Sequence, residues 1–226
     1  MRAFSSIQAV RPSASTQIPE PPLARFLFAD TRMGLVWLVV RLYAAYEWLT
    51  AGWDKLTGVN LAFGSDFGKY SAKAQWVFNG SNGAGMKGFI NGALAKAPGG
   101  KLASTHPDVQ GWYAGFLKDV VLPNAGFFSY VITFGEVLVG LGLLVGALTG
   151  IAAFFGLFMN FNFMLAGAVS INPVLGIACL FLVLAWRVAG YYGVDRYLLP
   201  LLGTPWTGSL AKQEKIDTAG ARLATS

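Results

Sequence analysis

The sequence predicts an all-α integral membrane protein, a bundle of four transmembrane helices with an extracytoplasmic insert of short amphipathic helices. The chain has 226 residues, of which 54% are hydrophobic and 12% are charged, whereas soluble domains carry about 25% charged residues. Its apolar residues are gathered into four runs, each close to the roughly 20 residues that a spanning helix needs. Because a chain inside hydrocarbon must satisfy its own backbone polar groups, we expect these runs to be helices rather than strands.

The four runs divide the chain into tails, spans and one long insert. The first tail is polar and rich in proline, which predicts disorder. Arg41 and Glu47 in the first run argue against a cleaved signal peptide. The expected segments are a cytoplasmic, disordered tail at 1–32, transmembrane helix 1 at 33–56, the insert at 57–124, transmembrane helices 2 to 4 at 125–194 and a cytoplasmic tail at 195–226.

The insert is rich in Gly, Lys and Asn and is too polar to span a membrane. Two of its stretches, which begin near Met86 and Asp108, repeat apolar residues at i, i+3 and i+4 and are predicted to be amphipathic helices. Such helices either lie on the membrane surface or pack as a cap over the bundle. The length of the connection favours the cap, because so long a connection is rarely structureless.

The basic residues indicate partners and orientation. The net charge is +6, but the Lys and Arg residues are scattered and form no basic stripe, so we expect no nucleic-acid partner. Cytoplasmic segments flanking membrane helices carry an excess of Lys and Arg. Both tails are rich in these residues, so we expect both termini in the cytoplasm and the insert outside.

Polar and charged residues interrupt the apolar runs and form the candidate site. A carboxylate at the centre of a spanning helix costs about 2.5–3.5 kcal/mol on insertion scales, so it is kept where it faces protein, water or a partner. We expect Glu136 to pair with Arg41 or Arg187, and Glu47 to approach an asparagine of the third run. Two interpretations stay open: the cluster fixes helix register, or it lines a quinone headgroup site or a proton path. Its members are Arg41, Glu47, Glu136, Asn160, Asn162 and Arg187.

Few side chains could hold a cofactor. Cys179 is the only cysteine and His106 the only histidine, so the chain has no CxxC pair, iron–sulfur ligand set, bis-histidine haem site or zinc spacing. We expect no metal and no covalent cofactor. Any electron carrier is then a diffusible molecule, such as a quinone, or belongs to another subunit. Gly142, Gly146 and Gly150, spaced at i, i+4 and i+8, predict a close-packing helix surface.

Several segments between Arg41 and Arg196 carry a family resemblance. They are 47–56 (EWLTAGWDKL), 112–117 (WYAGFL) with 121–123 (VLP), 133–146 (TFGEVLVGLGLLVG), 160–166 (NFNFMLA), 170–173 (SINP) and 186–196 (WRVAGYYGVDR). In order and spacing they resemble the DoxX-like membrane proteins, a family that includes the DoxD chain of thiosulfate:quinone oxidoreductase. The resemblance implies a four-helix membrane protein that communicates with the quinone pool.

Three functions compete at this point. In the first, the chain is a membrane subunit of, or accessory to, a larger redox complex that communicates with the quinone pool. In the second, which the resemblance implies, it is the catalytic quinone-reducing subunit of a thiosulfate:quinone oxidoreductase, in which Glu136 and Glu47 handle protons or contact the headgroup and Arg41 is their counter-charge. In the third, it is a small-solute transporter. We favour the first, since the chain holds no cofactor ligand set. The expected partners are the lipid bilayer and other subunits, in the cytoplasmic (inner) membrane of a prokaryote.

Overall fold

The computed structural model describes residues 20–203, and within them the chain is helical with no β-strand. This confirms the all-α prediction for the described part. A single isolated bridge joins Val59 and Tyr70. The α-helices are α1 (Pro22–Ala29), α2 (Gly34–Thr57), α3 (Ala84–Ala95), α4 (Gly111–Phe116), α5 (Ala125–Val145), α6 (Thr149–Leu165), α7 (Asn172–Leu184), α8 (Trp186–Ala189) and α9 (Asp195–Leu201). A 3₁₀ turn precedes α2, and a π-helical turn, Leu117–Val121, follows α4.

The tails differ from the prediction where the structure describes them. Residues 22–32, predicted as part of a disordered tail, belong mostly to α1 and the 3₁₀ turn that follows it. The reason is tertiary: Phe28 stacks on Trp37 and Phe181, and the Trp37 indole donates to the Leu27 carbonyl at 2.7 Å. The second tail likewise begins with a helix, α9. The rest of both predicted tails, 1–19 and 204–226, lies outside the described residues.

Helix lengths decide which segments could cross a bilayer unaided. Among residues 20–203 one helix is long and apolar enough, α5, with 21 residues and a mean hydropathy of 1.9. Helices α6 and α7 are apolar but shorter, at 17 and 13 residues. Helix α2 has 24 residues, and its apolar character is diluted by Arg41, Glu47 and Lys55. The predicted fourth span is interrupted, because α7 ends at Leu184 and a separate short helix follows.

Four helices pack in a closed ring. Helix α2 lies along α5, α5 contacts α6, α6 lies along α7, and α7 returns to α2. Trp48, Leu143, Cys179 and Leu182 are buried at the centre. Helices α5 and α6 are antiparallel and are joined by a short turn. Gly146 ends α5 with a backbone conformation in the left-handed region (φ 67°).

Glycines bring α2 and α5 into backbone contact. A Cβ on Gly52 would lie 2.8 Å from the Val137 backbone nitrogen, and a Cβ on Gly140 would lie 2.8 Å from the Leu49 nitrogen. No side chain fits at either position without separating the helices. The two glycines therefore fix the register of α2 against α5, with Gly52 beside Val137.

The insert packs against one end of the four helices. Ile90 of α3, Val109 and Leu117 form a second apolar cluster with Ala125 at the start of α5 and Ala166 just after α6. Lys96 donates to the Gly167 carbonyl at 2.7 Å. Of the two arrangements considered from the sequence, the structure shows the one in which α3 and α4 contact the helix ends.

The outward faces of these helices are also apolar. On α6 the large hydrophobic side chains at i, i+3, i+4, i+7 and i+10 are 53–59% exposed, and α5 and α7 show the same pattern. On α6 these residues are Ile151, Phe154, Phe155, Phe158 and Phe161. Helices that are hydrophobic all round belong inside a larger protein core or a membrane, and apolar surface of this extent calls for a partner or lipid.

Candidate functional site

A buried ion pair joins α2 to α5. Glu136 is 1% exposed, and its two carboxylate oxygens lie 2.9 and 2.7 Å from the Lys55 ammonium nitrogen. The register explains the pairing: Gly52 lies beside Val137, and Lys55 is about one turn further along α2. The lysine side chain is 17% exposed, so the pair lies at the edge of the core and not in its centre.

The insert helps to hold Lys55 in place. The Trp76 backbone nitrogen donates to the Lys55 carbonyl at 2.7 Å. The Lys55 ammonium nitrogen also lies 5.2 Å from the centre of the Trp76 ring, a cation–π distance. The lysine is therefore fixed from two sides, by Glu136 of α5 and by Trp76 of the insert.

The ion pair opens into a polar cavity of about 360 Å³. Glu47 and Asp54 lie seven residues apart on α2 and so share one face of it. Both line the cavity together with Glu136, which places three carboxylates around the single ammonium of Lys55. We call this space the polar cavity. Its other lining residues include Asn60 and Asn172, and its aromatic lining residues are Trp48, Trp76, Phe89 and Phe163.

The predicted pairing of Glu136 with an arginine is wrong. Arg41 is 1% exposed and lies beside Gly146 at the end of α5, ten residues or about 15 Å along the helix from Glu136. Its guanidinium donates to the Tyr192 carbonyl at 3.0 Å. Arg187 is exposed and lies over the Trp186 ring. The structure brings neither arginine to the polar cavity.

The two asparagines of α6 have different surroundings. Asn160 is fully buried and donates to the Asn172 side chain at 3.2 Å. Asn162 contacts the Tyr113 hydroxyl of α4 at 3.0 Å. Within residues 20–203 no hydrogen bond joins Glu47 to either asparagine, contrary to the predicted approach; Glu47 shares the polar cavity with Asn172 instead. Burial raises the pKa of Tyr113 to about 12, so it remains a hydrogen-bond donor at ordinary pH.

The three glycines predicted to form one close-packing surface lie on two helices. Gly142 is in α5, Gly146 ends that helix, and Gly150 is in α6. Each is closely packed, but against a different group. A Cβ on Gly142 would meet the Ala152 Cβ, one on Gly146 would meet the Arg41 guanidinium, and one on Gly150 would meet the Trp186 Cβ. The hairpin between the helices breaks the i, i+4, i+8 series, which would need one continuous helix.

Sequence reasoning missed Lys55 and Asp195. Lys55 has no role in the prediction above, and its position one turn beyond Gly52 is the signal that could have found it. Asp195 is fully buried, and its carboxylate accepts from the backbone nitrogens of Leu148 (2.6 Å) and Thr149 (2.8 Å) at the start of α6. It therefore caps α6 from a distant segment, which no local pattern reveals.

A second, apolar space runs between α5 and α6. It has a volume of about 830 Å³ and is lined along its length by aliphatic and aromatic side chains. It extends from Tyr113 and Phe116 of the insert to Leu148 at the α5–α6 turn. We call it the apolar groove. Gly135 and Gly142 also line it.

Comparison of the chain with protein-family models, with curated proteins and with solved structures finds no match. Within residues 20–203 no three His, Cys, Asp or Glu side chains are grouped so as to hold a metal ion.

Proposed function

We propose that the protein is a membrane-embedded subunit of, or accessory to, a larger redox complex, and that its polar cavity binds the headgroup of a quinone. The observation that carries the proposal is the Glu136–Lys55 pair, which is buried on one side and opens into a polar cavity on the other. A buried ion pair that faces open space can exchange hydrogen bonds with a ligand, whereas one enclosed in a core cannot.

Membrane embedding is supported by the outward faces. Helix α5 could span alone, and the exposed apolar residues of α2, α6 and α7 continue its apolar surface around the ring. We propose a multi-pass arrangement in the inner membrane of a prokaryote with both termini in the cytoplasm. The insert then lies at the opposite, extracytoplasmic end, and the polar cavity opens near that interface.

The cavity has the chemistry that a quinone headgroup requires. The Lys55 ammonium can donate to a carbonyl oxygen, and the carboxylates of Glu47 and Glu136 can give or accept protons. Trp48 and Trp76 supply flat apolar surfaces for a ring. Electrons would come from a partner subunit, since the single cysteine and single histidine provide no ligand set for a redox centre.

A purely structural role is the second candidate. Lys55 and Glu136 already satisfy each other at 2.7 Å, and a buried pair of this kind also fixes helix register. On this alternative the protein is an accessory subunit that contacts the complex through its apolar faces, and ligand binding is absent.

Quinone binding separates the two candidates. A short-tailed ubiquinone analogue is titrated into the protein in lipid nanodiscs while tryptophan fluorescence is followed, since Trp48 and Trp76 line the cavity. We expect saturable quenching, and an apparent Kd that rises at least several-fold in Lys55→Met when it is measured on the folded fraction isolated by size-exclusion chromatography. Lys69→Met is the matched control, because Lys69 is 67% exposed and pairs with Asp66 at the surface. Equal affinities of the two variants would contradict the headgroup site.

Purification from the native membrane tests the subunit assignment. We expect a cofactor-bearing partner protein at fixed stoichiometry, identified by mass spectrometry and by its absorption spectrum. A chain that purifies alone from gently solubilised membranes would exclude a stable complex, whatever the result of the quinone titration.

A further inference from the structure

The polar cavity and the apolar groove share one wall. Phe89 of α3 and Phe163 of α6 line both spaces. Their rings meet edge to face with centroids 5.9 Å apart. Phe163 also lies 6.4 Å from Trp48, and Phe89 lies 6.2 Å from Trp76. A continuous row of aromatic rings therefore divides a polar space from an apolar one.

The groove is long and apolar enough to hold a hydrocarbon chain. Its lining residues on α5 extend from Phe128 to Val145, about 25 Å at the rise of an α-helix. The polar side chains at its insert end, Tyr113 and Asn162, already contact each other. An extended peptide or a second headgroup placed in the groove would leave its own polar groups unsatisfied, which is costly in hydrocarbon.

We propose that the apolar groove holds the isoprenoid tail of the quinone whose headgroup lies in the polar cavity. This rests on the proposed function and specifies its ligand: a long-tailed quinone rather than a small polar one. The Phe89–Phe163 pair is the passage between the spaces, and displacement of either ring joins them. The wall that Phe89 and Phe163 share with the headgroup site distinguishes the groove from the exposed apolar faces of α2 and α7.

Photolabelling tests the position of the tail. The probe is a ubiquinone with a long isoprenoid tail and a photoreactive group at the tail end, added to the protein in nanodiscs. We expect most of the label on groove-lining peptides of α5 and α6, and its loss when unlabelled long-tailed ubiquinone is added in excess. The equally apolar outer faces of α2 and α7 should carry little label.

A matched pair of variants on α5 sharpens the test. Leu138 lines the groove and is 66% exposed, whereas Leu144 is 44% exposed and does not line it. Leu138→Trp narrows the groove from an exposed position, so folding is preserved, and should remove most of the groove label. Leu144→Trp should retain it. Label spread evenly over all outer faces, or equal labelling of the two variants, would overturn the proposal.

The outcomes also separate this inference from the proposed function. If the short-tailed analogue binds but the tail label is spread evenly, the headgroup site stands and the tail site falls. If the groove is labelled but the short-tailed analogue does not bind, the groove holds the tail without the proposed headgroup contacts. If neither is seen, both proposals are overturned.

Discussion

Glu136 and Lys55 place opposite charges where the bundle meets the polar cavity. Removing both ions from water costs several kcal/mol each, and their attraction compensates only when the geometry is good. Here both carboxylate oxygens contact one ammonium nitrogen. Lys55 retains some solvent contact and Glu136 almost none. The charge of Glu136 therefore needs its partner more than the charge of Lys55 does.

Loss of the lysine should therefore cost more than loss of the carboxylate. Lys55→Met leaves Glu136 buried without its counter-charge, and we expect a destabilisation of about 3–5 kcal/mol. Glu136→Gln should cost less, because the partly exposed ammonium can turn toward water. The double variant should be more stable than Lys55→Met alone. Thermal unfolding in detergent measures the stability of the two single variants and of the double variant. If Lys55→Met were as stable as the wild type, Glu136 would not need the lysine as its counter-charge.

Tyr113 should make stability fall at alkaline pH. In the unfolded chain a tyrosine loses its proton near pH 10, but burial raises the pKa of Tyr113 to about 12. Between these values the unfolded state binds fewer protons than the folded state, so stability decreases as pH rises, by at most about 2–3 kcal/mol. Tyr113→Phe should flatten this part of the stability curve. A curve identical to that of the wild type would show that Tyr113 ionises freely.

The candidate site could be predicted only in part from single residues. A carboxylate inside an apolar run is visible in the sequence as a candidate site residue, and Glu47 and Glu136 do line one cavity. The predicted cation of Glu136, Arg41 or Arg187, is wrong because the sequence does not show how α2 and α5 are staggered. The ends of α2 and α5 are not level: Gly52 lies beside Val137, which places Lys55 near Glu136 and Arg41 near Gly146.

Close contact between the helices α2 and α5 depends on two glycines, Gly52 and Gly140. Gly52→Ala would place a Cβ 2.8 Å from the Val137 backbone nitrogen, so the helices must separate, at a cost of about 1–3 kcal/mol. Gly88→Ala is the matched control, since nothing lies within 4 Å of its added Cβ in α3 and alanine favours a helix by about 1 kcal/mol. The two variants should shift the unfolding temperature in opposite directions; shifts of the same sign would refute the packing argument.

The cap of α6 predicts another measurable effect. Asp195→Ala leaves the Leu148 and Thr149 backbone nitrogens without their acceptors, and we expect a loss of about 2 kcal/mol or more. It also removes a carboxylate that attracts the buried Arg41 electrostatically. Asp66→Ala, at a 65% exposed carboxylate, should leave the unfolding temperature unchanged. An equally small effect of both variants would show that the start of α6 does not need the cap.

The helices themselves follow from sequence more reliably than their ends. The apolar runs of this chain favour helices, and α2 and the start of α5 lie within one residue of the predicted boundaries at 33–56 and at 125. The break after Leu184 and the helix at 22–29 were not predictable. Both depend on distant partners: Phe181 and Trp37 hold α1, and the segment after α8 folds back onto the α5–α6 turn, where the Asp195 nitrogen donates to the Gly146 carbonyl.

The buried polar and charged residues are unevenly distributed along the bundle. One end carries the insert, the polar cavity and the Glu136–Lys55 pair. The opposite end carries Arg41 and Asp195, buried beside the α5–α6 turn. Between the two ends the outward surface is almost wholly apolar. This distribution is compatible with a bilayer, which places hydrocarbon around the middle of a spanning protein and polar groups near each interface.

Accessibility from the two sides of the membrane tests this arrangement. Cys179 is fully buried, so Cys179→Ala gives a cysteine-free background. Single cysteines are then placed by Lys101→Cys in the exposed insert and by Tyr197→Cys, 72% exposed on α9 at the other end. In intact spheroplasts a membrane-impermeant maleimide should label the first and spare the second, because the basic tails favour the cytoplasm. After lysis both should react, which controls for local burial. Labelling of both cysteines in intact spheroplasts would place the two ends on one side of the membrane, which is incompatible with a bundle that spans it.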